Sequence, residues 1–462
     1  MLSISSDDLY KRLVLDNPWW DFTSEYETKI KFTSLRDVLP AFKSHVQNLG
    51  PGDSVVLAGS LGAGKSVLLD QVVAGLIEEG TGPKAVLYCS MAEPIFSGVG
   101  LSQVVEIFAT RHGFGMDNEL FLFFDEAQFA KDWQNQKVQL ASAWPKARII
   151  CAVSSGAPEL TSTQKNSTLV LPGLTFPEFM RFAGVEERLF GSGQTGGALV
   201  VQPEALPALN GEFHRYVNSG GFPDDEFAER ILNGDMASLH GISDARDLNR
   251  LFVLLAKNTG LEVRYEDLTK AIGVAKNTLR KYLDYLEQAF LIRRLPRVDQ
   301  SGKRFKRAVA FKVYLTSPCL YAALFGPVDP GDEIFPRLAE TALVAQWLGS
   351  EDAATLAYAS WRGGAIDLLS LDPGTDRPSH VYEFDWSDDY APDGKKADKG
   401  PRNLAAFVRD TNRSAKVFVL TRENTRQGSV GGIDVTLVPL SLYAYWLARD
   451  PTLSGVHTGN EN

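Results

Sequence analysis

Between residues 54 and 155 the chain repeats one pattern, in which short apolar runs are separated by longer amphipathic stretches. The runs read SVVLAG, AVLYCS, LFLFFDEA and RIICAVSS. Four such runs with helical segments between them predict a mostly parallel sheet covered on both faces. Residues 1–45 read as a leader with a helix or two, ending near the turn NLGPGD. Further on, Gly and Pro thicken through GSGQTGGALVVQPEALPALNGEF, which predicts a linker or irregular helical subdomain over 186–245. From 246 to 325 the pattern becomes helical and then basic. From 326 to 447 apolar runs return as DLLSL, HVYEFDW, KVFVLT and VTLVPL, and residues 448–462 read as a frayed tail.

Length and composition narrow this picture without naming a chemistry. A chain of 462 residues is too long for one core, so two to four domains are expected. No run of eighteen apolar residues occurs, so no membrane-spanning helix is expected. The N-terminus lacks the charged-then-apolar layout of a secretory signal. Cys89, Cys151 and Cys319 lie far apart, which speaks against a disulfide framework or a zinc site and fits a reducing cytoplasm. The net charge of −10 argues against indiscriminate nucleic-acid binding by the whole surface, but leaves room for a local basic face.

The first chemical signal is GSLGAGKS, which fits G-x-x-x-x-G-K-[ST] from Gly59 to Ser66. Such a loop turns backbone N–H groups toward phosphate oxygens and places a helix N-terminus behind them. The expected nucleotide-binding residues are Gly59, Ser60, Leu61, Gly62, Ala63, Gly64, Lys65, Ser66 and Val67. Lys65 would reach the β- and γ-phosphates of ATP, and Ser66 would ligate Mg²⁺. An apolar strand before the loop and SVLLDQVVAGLIEE after it supply the strand–loop–helix context the motif requires.

The run ELFLFFDEAQ ends on Asp125 and Glu126. Asp125 would hold the magnesium through water, and Glu126 would orient and deprotonate an attacking water, which is the positioning that phosphoryl transfer needs. The next run ends on Ser154 and Ser155, where a hydroxyl would either sense the γ-phosphate or cap a helix. The expected catalytic set is therefore Lys65, Glu126 and Ser154, with Ser66 and Asp125 at the metal.

A helix–turn–helix–strand pattern follows in YEDLTKAIGVAKNTLRKYLDYLEQAFLIRRL. Gly273 marks the turn, and Leu279, Tyr282, Leu283 and Leu286 give the second helix its apolar face. Lys276, Asn277, Arg280 and Lys281 lie toward its groove-entering half. Residues 292–308 then carry seven Lys/Arg against one Asp. Candidate DNA contacts are Lys276, Arg280, Arg304, Lys306 and Arg307, although a charge run is more commonly a solvated face.

The order of the phosphate loop, DEAQ, SS, LPGLTFPEFMRF and YVNSGGFP resembles a group of prokaryotic AAA+-like ATPases, with NPWW ahead of the core. The resemblance runs from about residue 15 to 445. It implies an α/β protein with a P-loop NTPase (AAA+-like) core at 46–185, a winged helix at 246–325 and a restriction-endonuclease-like α/β domain of uncertain function at 326–447. That group carries a Gly-Arg pair before its P-L-S-F-x-E-F segment; here Lys165 stands in the arginine's place, so no arginine finger is identified.

On the endonuclease template a helix Glu, a hairpin Asp and an E-x-K strand surround Mg²⁺, and Glu340, Asp367 and Glu383 take those positions. The lysine is missing: Asp385 stands two residues after Glu383, with Lys395, Lys396 and Lys399 only further downstream. Residues 325–393 carry fourteen acids and three bases, a surface that repels phosphate. The expectation is a degenerate nuclease site and an ATPase that couples nucleotide state to DNA contact. The alternative is a nucleotide-dependent switch or scaffold that binds a protein partner, or a second copy of itself, through the C-terminal half.

Overall fold

The computed structural model describes residues 4–21, 34–154, 168–190, 203–221, 246–305, 308–386, 388 and 399–449. The chain divides into two compact units, the first made of 1–171 with 235–242 and 288–290, the second of 172–234, 243–287 and 291–462. Ser155 and Lys165 in the first unit, Lys306, Arg307, Lys395 and Lys396 in the second, and nearly all of the expected tail lie outside the described residues.

The first unit is built on strands β1 (Ser54–Ala58), β2 (Val86–Ser90), β3 (Phe121–Asp125), β4 (Arg148–Val153) and β5 (Thr168–Val170). They form a five-stranded sheet in the order β2-β3-β4-β1-β5, and every pairing is parallel. The four apolar runs of the sequence are its four longer strands. β5, at the edge, is only three residues long and half-buried throughout, so no apolar run announces it.

The leader belongs to this unit. The helix Ser6–Asp16 is started by a capping box between Ser5 and Asp8. It ends at Asn17, whose side chain donates to the carbonyls of Leu13 and Tyr88, both at 2.7 Å, and accepts from the Tyr88 N–H at 2.7 Å. Trp19 and Trp20 follow, both buried, and both indole N–H groups donate to the Val86 carbonyl. The NPWW segment thus caps the outer edge of β2, satisfying strand groups that no sixth strand reaches.

The second unit holds two sheets. One is three-stranded, in the order β6 (Glu262–Arg264), β9 (Ala310–Leu315), β7 (Ile292–Leu295), all antiparallel. The helices Tyr265–Ile272 and Lys276–Gln288, with Gly273 at φ +84° between them, lie in the chain between β6 and β7. The other is seven-stranded, in the order β14-β15-β13-β12-β11-β10-β8. Its strands are β8 (Arg297–Val298), β10 (Leu356–Trp361), β11 (Gly364–Leu371), β12 (Pro378–Asp385), β13 (Lys416–Thr421), β14 (Arg426–Val430) and β15 (Ile433–Pro439).

One face of the seven-stranded sheet packs under the helix Lys399–Thr411 through Leu404, Phe407 and Val408. The other carries the helices Phe335–Trp347 and Leu440–Arg449 together with Leu206–Ser219. The last of these falls where the sequence predicts a linker or irregular helical subdomain. Its Leu209, Phe213, Tyr216 and Val217 share one helical face and are buried in the same core, so the Gly- and Pro-rich text around it hides a structural helix.

Two differences concern the basic run. β8 leaves the hairpin and pairs with β10 in the larger sheet. Arg294 is held by Glu287 and by Asp284 at 2.7 Å, Arg293 donates to the Ala353 carbonyl, and Arg297 lies over the Phe305 ring. Much of the charge that reads as a wing is spent inside the unit.

Replacing Asn17 with Ala strips the Tyr88 N–H and carbonyl of their partners in a buried setting. We expect a loss of about 1–3 kcal/mol in the first unit's stability, read from urea unfolding, against little change for Leu15→Ala on the exposed face.

Candidate functional site

The phosphate loop leaves β1 at Gly59 and enters the helix Lys65–Glu78 at Gly64. Two of its glycines are required by geometry. A Cβ on Gly59 would sit 2.3 Å from the Leu171 carbonyl oxygen, so the strand end has no room for a side chain. Gly64 takes φ +91°, a left-handed conformation that other residues adopt at a cost. Arg36, which the motif search does not flag, is buried and donates to the Ala63 carbonyl at 2.7 Å, bracing the loop from outside.

Lys65 is only 3% exposed. Its ammonium donates to the Ser60 carbonyl at 3.0 Å and to Ser154 Oγ at 2.7 Å, and lies 3.6 Å from Glu126 Oε1. Ser154 Oγ in turn donates to Glu126 Oε1 at 2.6 Å. The hydroxyl therefore sits between lysine and glutamate, at the end of β4, with its own N–H donating to Gln128 Oε1. Gln128 also donates to Glu126 through its amide. Glu126 takes φ +49°, an uncommon conformation for a residue with a side chain.

Beside this group, Ser66 Oγ donates to Asp125 Oδ2 at 2.5 Å, and the Tyr88 hydroxyl donates to the same oxygen at 2.9 Å. Burial, reinforced by the neighbouring Glu126, raises the Asp125 carboxyl above its ordinary range, against the lowering effect of Ser66, Lys65 and Tyr88. Burial and Asp125 push the Tyr88 phenol up as well, so it stays a hydrogen-bond donor. ATP and Mg²⁺ fit these residues. The Ser66 hydroxyl and the Asp125 carboxylate already converge, and Ser66 and Val67 are exposed to solvent. Tyr88 and Arg36 are site residues that sequence reasoning misses, because neither belongs to a phosphate-loop motif, and Gln128, the last residue of DEAQ, gains its role only in the structure.

In the second unit Glu340 stands on the helix Phe335–Trp347, Asp367 on β11 and Glu383 on β12. They are brought together, but with a partner the sequence does not suggest. Lys312, from β9, donates to Glu340 Oε1 at 2.6 Å and to the Asp367 carbonyl at 3.0 Å, and lies 4.0 Å from Asp367 Oδ1. The Tyr314 hydroxyl donates to the same Glu340 oxygen. The lysine beside these carboxylates thus comes from upstream in the chain, while the downstream Lys395 and Lys396 lie outside the described residues. Among the sequence-predicted DNA contacts, Lys276 and Arg280 are exposed on one helix, while Arg304 pairs with Asp376 at 3.2 Å.

Among the described residues no helix is long and apolar enough to cross a membrane. Residues 210–330 match the model of a domain of unknown function, DUF8612. An uncharacterised protein of Haemophilus influenzae is 25% identical over 278 residues, 55% of this chain and 65% of the relative. One of Methanocaldococcus jannaschii is 24% identical over 289 residues, 56% of this chain and 60% of the relative. The chain thus spans just under two thirds of the length of these curated relatives. The Aeropyrum pernix ORC1 protein, solved in complex with DNA, is 14% identical across 68% of this chain and 95% of that one, with a TM-score of 0.27, too low to carry a fold assignment. The phosphate loop, DEAQ and the parallel sheet fall inside residues 52–180, which match the AAA domain model: this part of the chain is an α/β nucleotide-binding core of the AAA P-loop type.

Proposed function

We propose that the chain is an ATPase whose nucleotide state governs contact with DNA. The observation that carries the enzymatic part is the linked set Lys65–Ser154–Glu126 beside Ser66–Asp125, which joins the ends of two strands, β3 and β4, to one loop. In this reading Lys65 exchanges its bonds to Ser60 and Ser154 for the β- and γ-phosphate oxygens. Ser66 would hold Mg²⁺ directly and Asp125 through water, and the ion would neutralise charge on the phosphates. Glu126, released from Lys65, orients a water in line with the γ-phosphorus and takes its proton. Ser154 then faces the γ-phosphate in place of the ammonium, a position from which its presence or loss is felt by β4. The bonds among Lys65, Ser154 and Glu126 hold these groups in a resting arrangement that nucleotide must break.

The DNA part rests on the helix Lys276–Gln288. Its Leu279, Leu283 and Leu286 are buried, and its Lys276, Arg280 and Lys281 are exposed on the side left for a groove. A second reading, in which the switch docks a protein partner, is favoured by the internal pairing of Arg294 and Arg304, which removes cations from the face a phosphate backbone would meet.

Lys65→Ala is expected to abolish ATP turnover with the fold intact by circular dichroism. Glu126→Gln is expected to keep ATP binding and lower kcat by about 100-fold or more, since a positioned base is lost and the metal ligands are not. Normal turnover in both variants would contradict the ATPase reading. For DNA, the double change Lys276→Glu and Arg280→Glu should weaken filter binding for every sequence tried. It should also flatten the slope of log affinity against log salt by about two units, one for each phosphate contact removed. An unchanged slope would favour the protein-partner reading.

A further inference from the structure

We propose that Lys312 is the resident cation of the Glu340–Asp367–Glu383 centre, standing where a divalent metal would otherwise be held and closing the centre as a structural junction. Three observations carry this. The ammonium lies at the convergence of the group, 2.6 Å from Glu340 Oε1 and 3.0 Å from the Asp367 carbonyl. Lys312 and Glu340 are each only 6% exposed, so the pair is enclosed and not a surface bridge that water would loosen. Two of the carboxylate oxygens a metal would need are also engaged, while Glu383 Oε1 is buried without a hydrogen-bond partner. Glu340 Oε1 accepts from both Lys312 and Tyr314, which uses its two lone pairs. Asp367 Oδ2 accepts from the Phe384 N–H at 3.1 Å.

A magnesium ion binds oxygen at about 2.1 Å and demands near-octahedral geometry. It could not reach Glu340 Oε1 here without expelling the ammonium. Among the described residues no group of three or more His, Cys, Asp and Glu side chains is placed to hold a metal ion. The residues therefore do not fit the metal that the endonuclease template implies.

The charges agree with this assignment. Burial alone would lower the Lys312 ammonium, but the Glu340 and Asp367 carboxylates outweigh it and keep the lysine charged. Lys312 comes from the middle strand of the three-stranded sheet, and its partners come from a helix and from strands of the seven-stranded sheet. The bond therefore fastens the basic helical segment to the C-terminal α/β fold, and metal-assisted cleavage is not expected of the centre.

The test uses the full-length chain without nucleotide. Mn²⁺ uptake is read by electron paramagnetic resonance for the wild type, Glu340→Gln and Asp367→Asn, and the expected result is equal uptake in all three. One Mn²⁺ held by the wild type and lost in either variant would overturn the proposal. Independently, thermal unfolding is compared for Lys312→Met, Glu340→Gln and the double variant. Each single change strands a buried partner and should lower Tm by about 5 °C or more. The double variant should recover most of that loss, because neither partner is left charged alone. Losses that simply add in the double variant would contradict a direct Lys312–Glu340 bond.

Discussion

A buried ammonium must find oxygen atoms for its protons, and in the first unit this requirement organises everything around Lys65. Its partners come from the loop after β1, from the residue after β3 and from the residue after β4. They can meet only because the three strands are neighbours in the order β3-β4-β1 and run parallel, with Phe124 beside Cys151 and Ala58 beside Val153. The apolar sheet thus delivers polar groups at one edge, where three carboxyl-terminal strand ends lie at one height. The price of the arrangement is local. Gly59 must lack a side chain, and Glu126 must accept a left-handed backbone.

The same requirement recurs in the second unit with a different outcome. Lys312 lies on β9, a strand buried along its whole length, and such a strand tolerates a charged residue only if the charge is matched. Glu340, on a helix that is otherwise apolar on nearly every side, supplies the match. Each of the two groups makes the other's burial possible. Both lysines are enclosed, but in the first unit the bonds are made to a neutral hydroxyl and a carbonyl, which a phosphate can displace. In the second a carboxylate accepts the hydrogen bond, and a tyrosine hydroxyl locks the shared oxygen. One lysine is poised to be recruited by a phosphate, and the other is fixed in place.

Much of this was legible in the sequence, and the rest was hidden for identifiable reasons. The strands of the first sheet are apolar throughout because both faces are covered, so each run stands out, and GSLGAGKS and DEAQ carry their chemistry in local spacing. β5 escaped because a short edge strand has no continuous apolar run. Tyr88 and Arg36 escaped because their roles depend on contacts with residues distant in the chain, which local text does not encode. The helix Leu206–Ser219 was masked by the Gly and Pro around it, although its apolar spacing is regular. The pairing of part of the basic run was hidden because charge counts ignore partners: Glu287 and Asp284, just upstream, meet Arg294 across a turn. Lys312 escaped because the template places its lysine two residues after Glu383, whereas here it arrives from another sheet.

The central claim is that residues 52–180 form a site for one ATP with one magnesium. It is tested most directly by isothermal titration of the full-length chain with a non-hydrolysable ATP analogue, with and without Mg²⁺. The account predicts one analogue bound per chain, with affinity that falls clearly when Mg²⁺ is withdrawn, because Ser66 and Asp125 then have no ion through which to hold the phosphates. A folded protein that takes up no analogue, or binds it equally well without the metal, would contradict it.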